Sequence, residues 1–165
     1  MKIRRLERRQ LLPVGREELF TIFQAPENLA TITPPRLGFR IITPGPIEMK
    51  VGTIIDYTIR VLGIPVRWRT LISTYQVPSR FVDEQIKGPY VFWHHTHAFV
   101  PAEGGTEITD TVRYVLPLGV LGDLVHRLMV RRQLEGIFEY RASAIVRLLE
   151  SVHRGSPGAA GGVKP

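Results

Sequence analysis

Residues Val91 to Leu116 read VFWHHTHAFVPAEGGTEITDTVRYVL, and the alternation in this stretch decides the fold. Side chains of an extended strand alternate between its two faces. Val91, Trp93, His95, His97 and Phe99 therefore share one face, opposite Phe92, His94, Thr96 and Ala98. After a connection from Ala102 to Gly105, a second strand places Ile108, Asp110, Val112, Tyr114 and Leu116 together, with Glu107, Thr109, Thr111, Arg113 and Val115 opposed. A hairpin closed there pairs Pro101 with Thr106, Phe99 with Ile108, His97 with Asp110 and His95 with Val112. The same step backwards across Gly88-Pro89 pairs Gln85 with Trp93, Asp83 with His95 and Phe81 with His97. One inward face is thus expected to carry two imidazoles and two carboxylates among aromatic and aliphatic groups, with cross-strand contacts His97–Asp110 and His95–Asp83. A slip of one residue would send all of them to the other face.

Working outward, proline and glycine divide the rest of the chain. Ile3 to Leu12 reads as a first strand and Pro13-Val-Gly ends it. Arg16 to Gln24 is a short helix with Leu19, Phe20 and Phe23 on one stripe and Glu17 and Glu18 in its first turn, where acids complement the helix dipole. Pro26 to Thr31 is a second, opened by proline and stopped by Pro34-Pro35. Gly38–Thr43, Thr53–Leu62, Val66–Gln76 and Arg80–Ile86 are β-rich and precede the hairpin with short turn signals between them. From about Asp123 to Val152 apolar residues recur at helical spacing, with Gly136 as a candidate bend. Its inward stripe is expected near Leu124, Leu128, Leu134 and Phe138. His126 and His153 read as surface residues. Residues 154–165 can bury almost nothing and are expected to form a disordered tail after a single domain over residues 1–153.

The fold class is α+β. A curved seven-stranded antiparallel sheet wraps one long C-terminal helix, in the order β-α-α-β-β-β-β-β-β-α. Such a sheet commonly leaves an apolar space under the helix, a natural ligand pocket.

The chain has 165 residues, 44% of them hydrophobic, and no cysteine. Disulfide scaffolds, cysteine-ligated zinc, iron–sulfur clusters and thiol catalysis are excluded. No stretch approaches the ~18 consecutive apolar residues of a membrane helix. The basic start runs into Glu7, Arg8 and Arg9, so no secretory signal is expected and a cytoplasmic location is the default. Lys and Arg number 22 against 15 Asp and Glu, a net charge of +7. These basic residues are scattered among acids and not interleaved with aromatics, which argues against a nucleic-acid partner. The first strand could pair between chains, or its arginines could protect an edge, so a monomer or a homodimer is expected.

The order of elements, together with FVDEQ (81–85), GP (88–89), WHHTHAF (93–99), GT (105–106), DTVRY (110–114) and Pro117, resembles the helix-grip fold of the START-related, or SRPBCC, superfamily. That superfamily includes polyketide cyclases, coenzyme Q-binding proteins and lipid-transfer domains. The resemblance implies a deep cavity for an apolar or amphipathic small molecule, closed by the C-terminal helix. It does not fix the chemistry, because the fold hosts carriers and enzymes.

Ionisable groups on an inward face are costly unless paired. The His–Asp set has four readings: it satisfies itself and fixes sheet register, it hydrogen-bonds the polar end of a ligand, it performs acid–base catalysis through His97 and Asp110, or it ligates a metal. Direct Asp pairing uses one nitrogen of each imidazole and no third His lies at a helpful spacing, so neither a metal nor any other cofactor is expected. The expected ligand-binding residues are Tyr57, Trp68, Phe81, Asp83, Gln85, Trp93, His95, His97, Phe99, Asp110, Val112, Tyr114, Leu124, Leu128 and Phe138. Arg131, Arg132 and Arg141 could receive an anionic head group, although a charged helical face is usually just solvated. The favoured function is binding of a hydrophobic or amphipathic small molecule such as a lipid, quinone or polyketide-like compound. The alternatives are a cyclase, aromatase or dehydratase, with His97 and Asp110 catalytic, and an interaction module whose groove its own side chains fill.

Overall fold

A computed structural model of the chain describes residues 2–61, 63–117 and 124–155. The strands are β1 (Arg4–Leu12), β2 (Arg40–Ile41), β3 (Ile54–Val61), β4 (Ile64–Gln76), β5 (Arg80–Lys87), β6 (Phe92–Ala102) and β7 (Gly105–Val115). They form one antiparallel sheet in the order β1-β7-β6-β5-β4-β3-β2. Helices α1 (Arg16–Gln24) and α2 (Pro26–Thr31) follow β1, and the long helix α3 (Arg131–Gly155) ends the described chain. The expected end of the third strand at Leu62, the helix start at Asp123 and residues 156–165 of the expected tail lie outside the described residues, while Arg154 and Gly155 of that tail continue α3.

The hairpin closes as the alternation predicts. His97 faces Asp110, Phe99 faces Ile108 and His95 faces Val112. Across the preceding turn Phe81 faces His97 and Asp83 faces His95. The connection is tighter than expected, because Ala102 and Gly105 still pair and only Glu103 and Gly104 form the turn. A Cβ on Gly105, whose φ is +148°, would sit 2.0 Å from the carbonyl oxygen of Leu12. Only glycine lets β7 approach the end of β1 so closely, and Thr106 Oγ1 then donates to the carbonyl of Val14 at 2.8 Å.

Three expectations are corrected. The ladder between β5 and β6 stops at Glu84–His94, so Gln85 does not pair with Trp93. Its side chain instead bonds both backbone groups of Tyr90, donating to the carbonyl at 2.6 Å and accepting from the N–H at 3.2 Å. The second strand shrinks to Arg40–Ile41, because the N–H groups of Ile42 and Thr43 both reach the carbonyl of Asp56 and the ladder cannot continue. The irregularity of the long helix lies at a π-helical turn, His126–Val130, where the N–H of Arg131 bonds the carbonyl of His126. Gly136 sits within regular helix, at a point where Arg36 crosses: a Cβ there would lie 3.0 Å from its guanidinium.

Two bulges in the β4–β5 ladder, at Ile86 of β5 and at Ser73 of β4, curve the sheet. One apolar cluster joins Leu12, Phe20, Phe81, Phe99 and Ile108 to Ala144, Ile145 and Leu149 of α3. A second joins Val112 and Tyr114 to Val130, Leu134 and Phe138. Both clusters gather on the side of β1, β7 and β6. The inner residues of β3 and β4 are left facing open space.

The π-turn gives a direct test. Val130, four residues before Leu134, occupies the inner stripe, and the wide turn carries Leu124 and Leu128 out to 53% and 62% exposure. Leu134→Ala is expected to lower unfolding free energy by about 2–5 kcal/mol, and Leu128→Ala to change it by less than about 0.5 kcal/mol, in urea denaturation.

Candidate functional site

A cavity of about 160 Å³ opens between the inner face of the sheet, α2 and the first half of α3. That is the order of an engineered core cavity that admits benzene, so a compact ring-bearing molecule fits without rearrangement. The wall on the β3–β4 side is aromatic. Tyr57 stacks on Trp68 with centroids 5.9 Å apart, and Trp68 meets Trp93 edge-on at 5.2 Å. Tyr90 closes the corner against Trp93 at 4.8 Å. Phe23, Leu29, Leu37 and Phe39 complete the opposite side.

On one wall the charged cluster projects inward. His95 and His97 are each 5% exposed and their rings lie 3.9 Å apart, flanked by Asp83 and Asp110. His95 Nε2 hydrogen-bonds Asp110 Oδ1 at 3.0 Å, and His97 Nε2 hydrogen-bonds Asp83 Oδ2 at 3.1 Å. The two contacts expected from the strand register are also present: His97 Nδ1 lies 2.7 Å from Asp110 Oδ1, and His95 Nδ1 lies 3.4 Å from Asp83 Oδ2. Neither is directed well enough to be a hydrogen bond. Each imidazole therefore spans both carboxylates. Phe81 stacks on His97 at 4.2 Å and Phe138 meets His95 edge-on at 5.7 Å.

Burial disfavours charge on both rings, yet their proton affinities diverge. For His97 the two carboxylates, Asp110 foremost, outweigh burial and raise its pKa above the usual 6.5. For His95 burial and the neighbouring His97 outweigh the carboxylates and lower it. Burial likewise opposes ionisation of Asp110 and Asp83, but the imidazoles, with Arg141 helping at Asp83, hold both below the usual range. The cluster therefore favours a proton on His97 over one on His95 and favours both aspartates as carboxylates.

The structure divides the expected site residues. Tyr57, Trp68, Phe81, Asp83, Trp93, His95, His97 and Phe138 line the cavity. Asp110 stands behind the imidazoles. Phe99, Val112 and Tyr114 share the inward face but are packed into the two apolar clusters, and Gln85 holds the β5–β6 turn. Leu124 and Leu128 point outward. His126 is half-buried rather than on the solvated side, with Tyr114 Oη 2.8 Å from its Nε2. His153 is exposed and contacts Glu18.

Arg141 lines the cavity beside Phe138, its guanidinium carbon 5.2 Å from that ring's centre. Buried polar atoms on the cavity wall that lack a hydrogen-bond partner are two N–H donors, Trp68 Nε1 and Arg141 Nε, together with the Thr70 hydroxyl and His97 Nδ1. Among the described residues, Asp83, His95 and His97 form a group whose ligand atoms lie close enough to hold a metal ion.

The linked pH dependence has a definite sign. A raised His97 pKa stabilises the fold fully below about pH 6.5 and loses that contribution as pH rises through the raised value. A lowered His95 pKa does the reverse, removing stability as pH falls below about 6.5. In nuclear magnetic resonance titrations of metal-free protein, the His97 ring is expected to titrate above 6.5 and the His95 ring below it. Asp110→Asn should bring His97 downward and flatten the alkaline decline in urea stability.

No protein-family model and no curated protein matches the chain. Solved structures do. A nucleoside-diphosphate sugar epimerase from Corynebacterium glutamicum superposes with a TM-score of 0.66 at 25% identity, over 90% of this chain and 30% of that one. Ginseng major latex-like protein 151 from Panax ginseng gives 0.64 at 11% identity, over 88% and 96% of the two chains. Ara h 8.0201 gives 0.59 at 18% identity, over 88% and 99%. The seven-stranded antiparallel sheet and the long C-terminal helix agree with these neighbours: the chain has the helix-grip fold.

Proposed function

We propose that the chain binds a compact amphipathic small molecule, an aromatic or aliphatic body carrying an acceptor oxygen, in the cavity between sheet and α3. The observation that carries this reading is Trp68 Nε1, a buried donor without a partner on a largely aromatic and aliphatic wall. Leaving such a donor unpaired costs about 1–3 kcal/mol, and a ligand carbonyl or carboxylate removes that cost. Arg141 Nε adds a second unpartnered donor and a positive charge, favouring an anionic acceptor. The aromatic wall supplies apolar contact for the body. Lipids, quinones and polyketide-like compounds share this chemistry, and those that extend beyond one or two rings require the cavity to widen.

An interaction module filled by its own side chains fits poorly, because the groove holds a cavity. Acid–base catalysis remains a second reading, favoured by one observation: His95 and His97 line the cavity while touching carboxylates. Turnover of poly-β-carbonyl compounds by the wild type and not by His97→Gln would establish it.

Both tryptophans of the chain, Trp68 and Trp93, line the cavity, so intrinsic fluorescence reports occupancy. A titration with 2-naphthoate is expected to quench saturably, and Arg141→Met to weaken binding by about tenfold, the effect of one charge-assisted hydrogen bond. The neutral 2-methylnaphthalene should bind more weakly than naphthoate. Absence of saturable quenching by either compound defeats the proposal.

A further inference from the structure

We propose that Asp83, His95 and His97 form a binding site for one divalent transition-metal ion, with Zn(II) the natural probe, on the floor of the cavity. The ligand atoms are Asp83 Oδ2, His95 Nδ1 and His97 Nε2. The carboxylate oxygen lies 3.4 Å from the first nitrogen and 3.1 Å from the second. Ions held by bonds of about 2.1 Å have ligand-to-ligand edges of about 3.0 Å in octahedral and 3.4 Å in tetrahedral geometry. Both measured edges fall in that interval before any ion is added.

The opposite side of the cluster fits the same reading. Asp110 Oδ1 lies 3.0 Å from His95 Nε2 and 2.7 Å from His97 Nδ1. The first is a hydrogen bond and the second a close approach. A carboxylate behind a ring nitrogen orients a metal-bound histidine; Asp110 holds His95 in this way, with its Nδ1 turned toward Asp83, as is Nε2 of His97.

A neutral imidazole carries one N–H and one lone pair. With Nε2 of His95 hydrogen-bonded to Asp110, its Nδ1 is turned to the Asp83 side, and a divalent ion there meets it together with Asp83 Oδ2 and His97 Nε2. Two imidazoles and one carboxylate on one side of an ion, with the other positions open, suit Zn(II) or Fe(II). The three ligands line the cavity, so the open positions face its interior. The ion requires only the cavity floor and is independent of whether an apolar molecule enters.

The test is isothermal titration of the full chain, freed of metal with a chelator, with Zn(II). One ion per chain is expected. Asp83→Asn and His97→Gln should each weaken binding at least about 100-fold, and Asp110→Asn about 10–100-fold, the usual range for a supporting carboxylate. His94→Gln, on the outer face beside Glu84, should leave it unchanged. No saturable binding, or binding that survives Asp83→Asn and His97→Gln, overturns the proposal. If those variants do not fold, nuclear magnetic resonance of the wild type decides: Zn(II) must shift the ring signals of His95 and His97 before those of His94, His126 and His153, and the reverse order overturns it. Naphthoate quenching in the chelated protein is read separately, so failure of either proposal is visible without the other.

Discussion

Two imidazoles clamped side by side between two carboxylates, inside an apolar interior, are the constraint on which the rest of this structure depends. Buried charges cost several kcal/mol each unless they are paired and hydrogen-bonded, so the three strands that carry them are held to one register. Asp83 belongs to β5, His95 and His97 to β6, and Asp110 to β7. Shifting any of these strands by one residue would turn its charged group outward and strand its partners. The network thereby ties the middle of the sheet together at the place where the cavity needs a firm wall.

The cavity itself follows from how unevenly the helices cover the sheet. Helix α1 and the C-terminal half of α3 pack on the inner faces of β1, β6 and β7, where Phe20, Phe99 and Ile145 are almost fully buried. Gln10 Nε2 reinforces this side by donating to the carbonyl of Ala142 at 3.0 Å. The inner residues of β3 and β4 receive no equivalent apolar layer. Their large aromatics lean on one another instead, and the sheet's curvature keeps them clear of α3. On the outer face Asp56 accepts both Arg69 nitrogens at 2.8 Å and has Arg67 nearby, so β3 and β4 stay joined where inner packing is thin.

Much of this was legible in the sequence because strand alternation is strict and the turns are short. Positions 81 to 112 fell on the correct face, and the His–Asp neighbours followed from counting residues across two turns. The same counting could not separate core from cavity. Phe99, Val112 and Tyr114 share the face of His97, and only the placement of α1 and α3 decides that they are packed while Trp93 is not. Gln85 departed from the ladder because its amide found the backbone of Tyr90. Leu124 and Leu128 were misplaced because a π-turn adds a residue to the helical period, which no apolar pattern announces. Of the three arginines that could receive an anionic head group, Arg141 lines the cavity: it follows Leu134 by seven residues and Phe138 by three, on the same helical stripe.

The chemistry of the pocket is therefore one of contrast, with an aromatic wall at one side, a balanced set of acids and imidazoles at another, and two unpaired donors between them. An electron-density map of the chain purified directly from its expression host, without organic solvent, examines this arrangement most directly. Density for a compact molecule with an oxygen within hydrogen-bond distance of Trp68 Nε1 is the expected finding. Trp68, Tyr90 and Phe138 collapsed together so that no space remains, with the Trp68 N–H bonded to a protein group, would refute it.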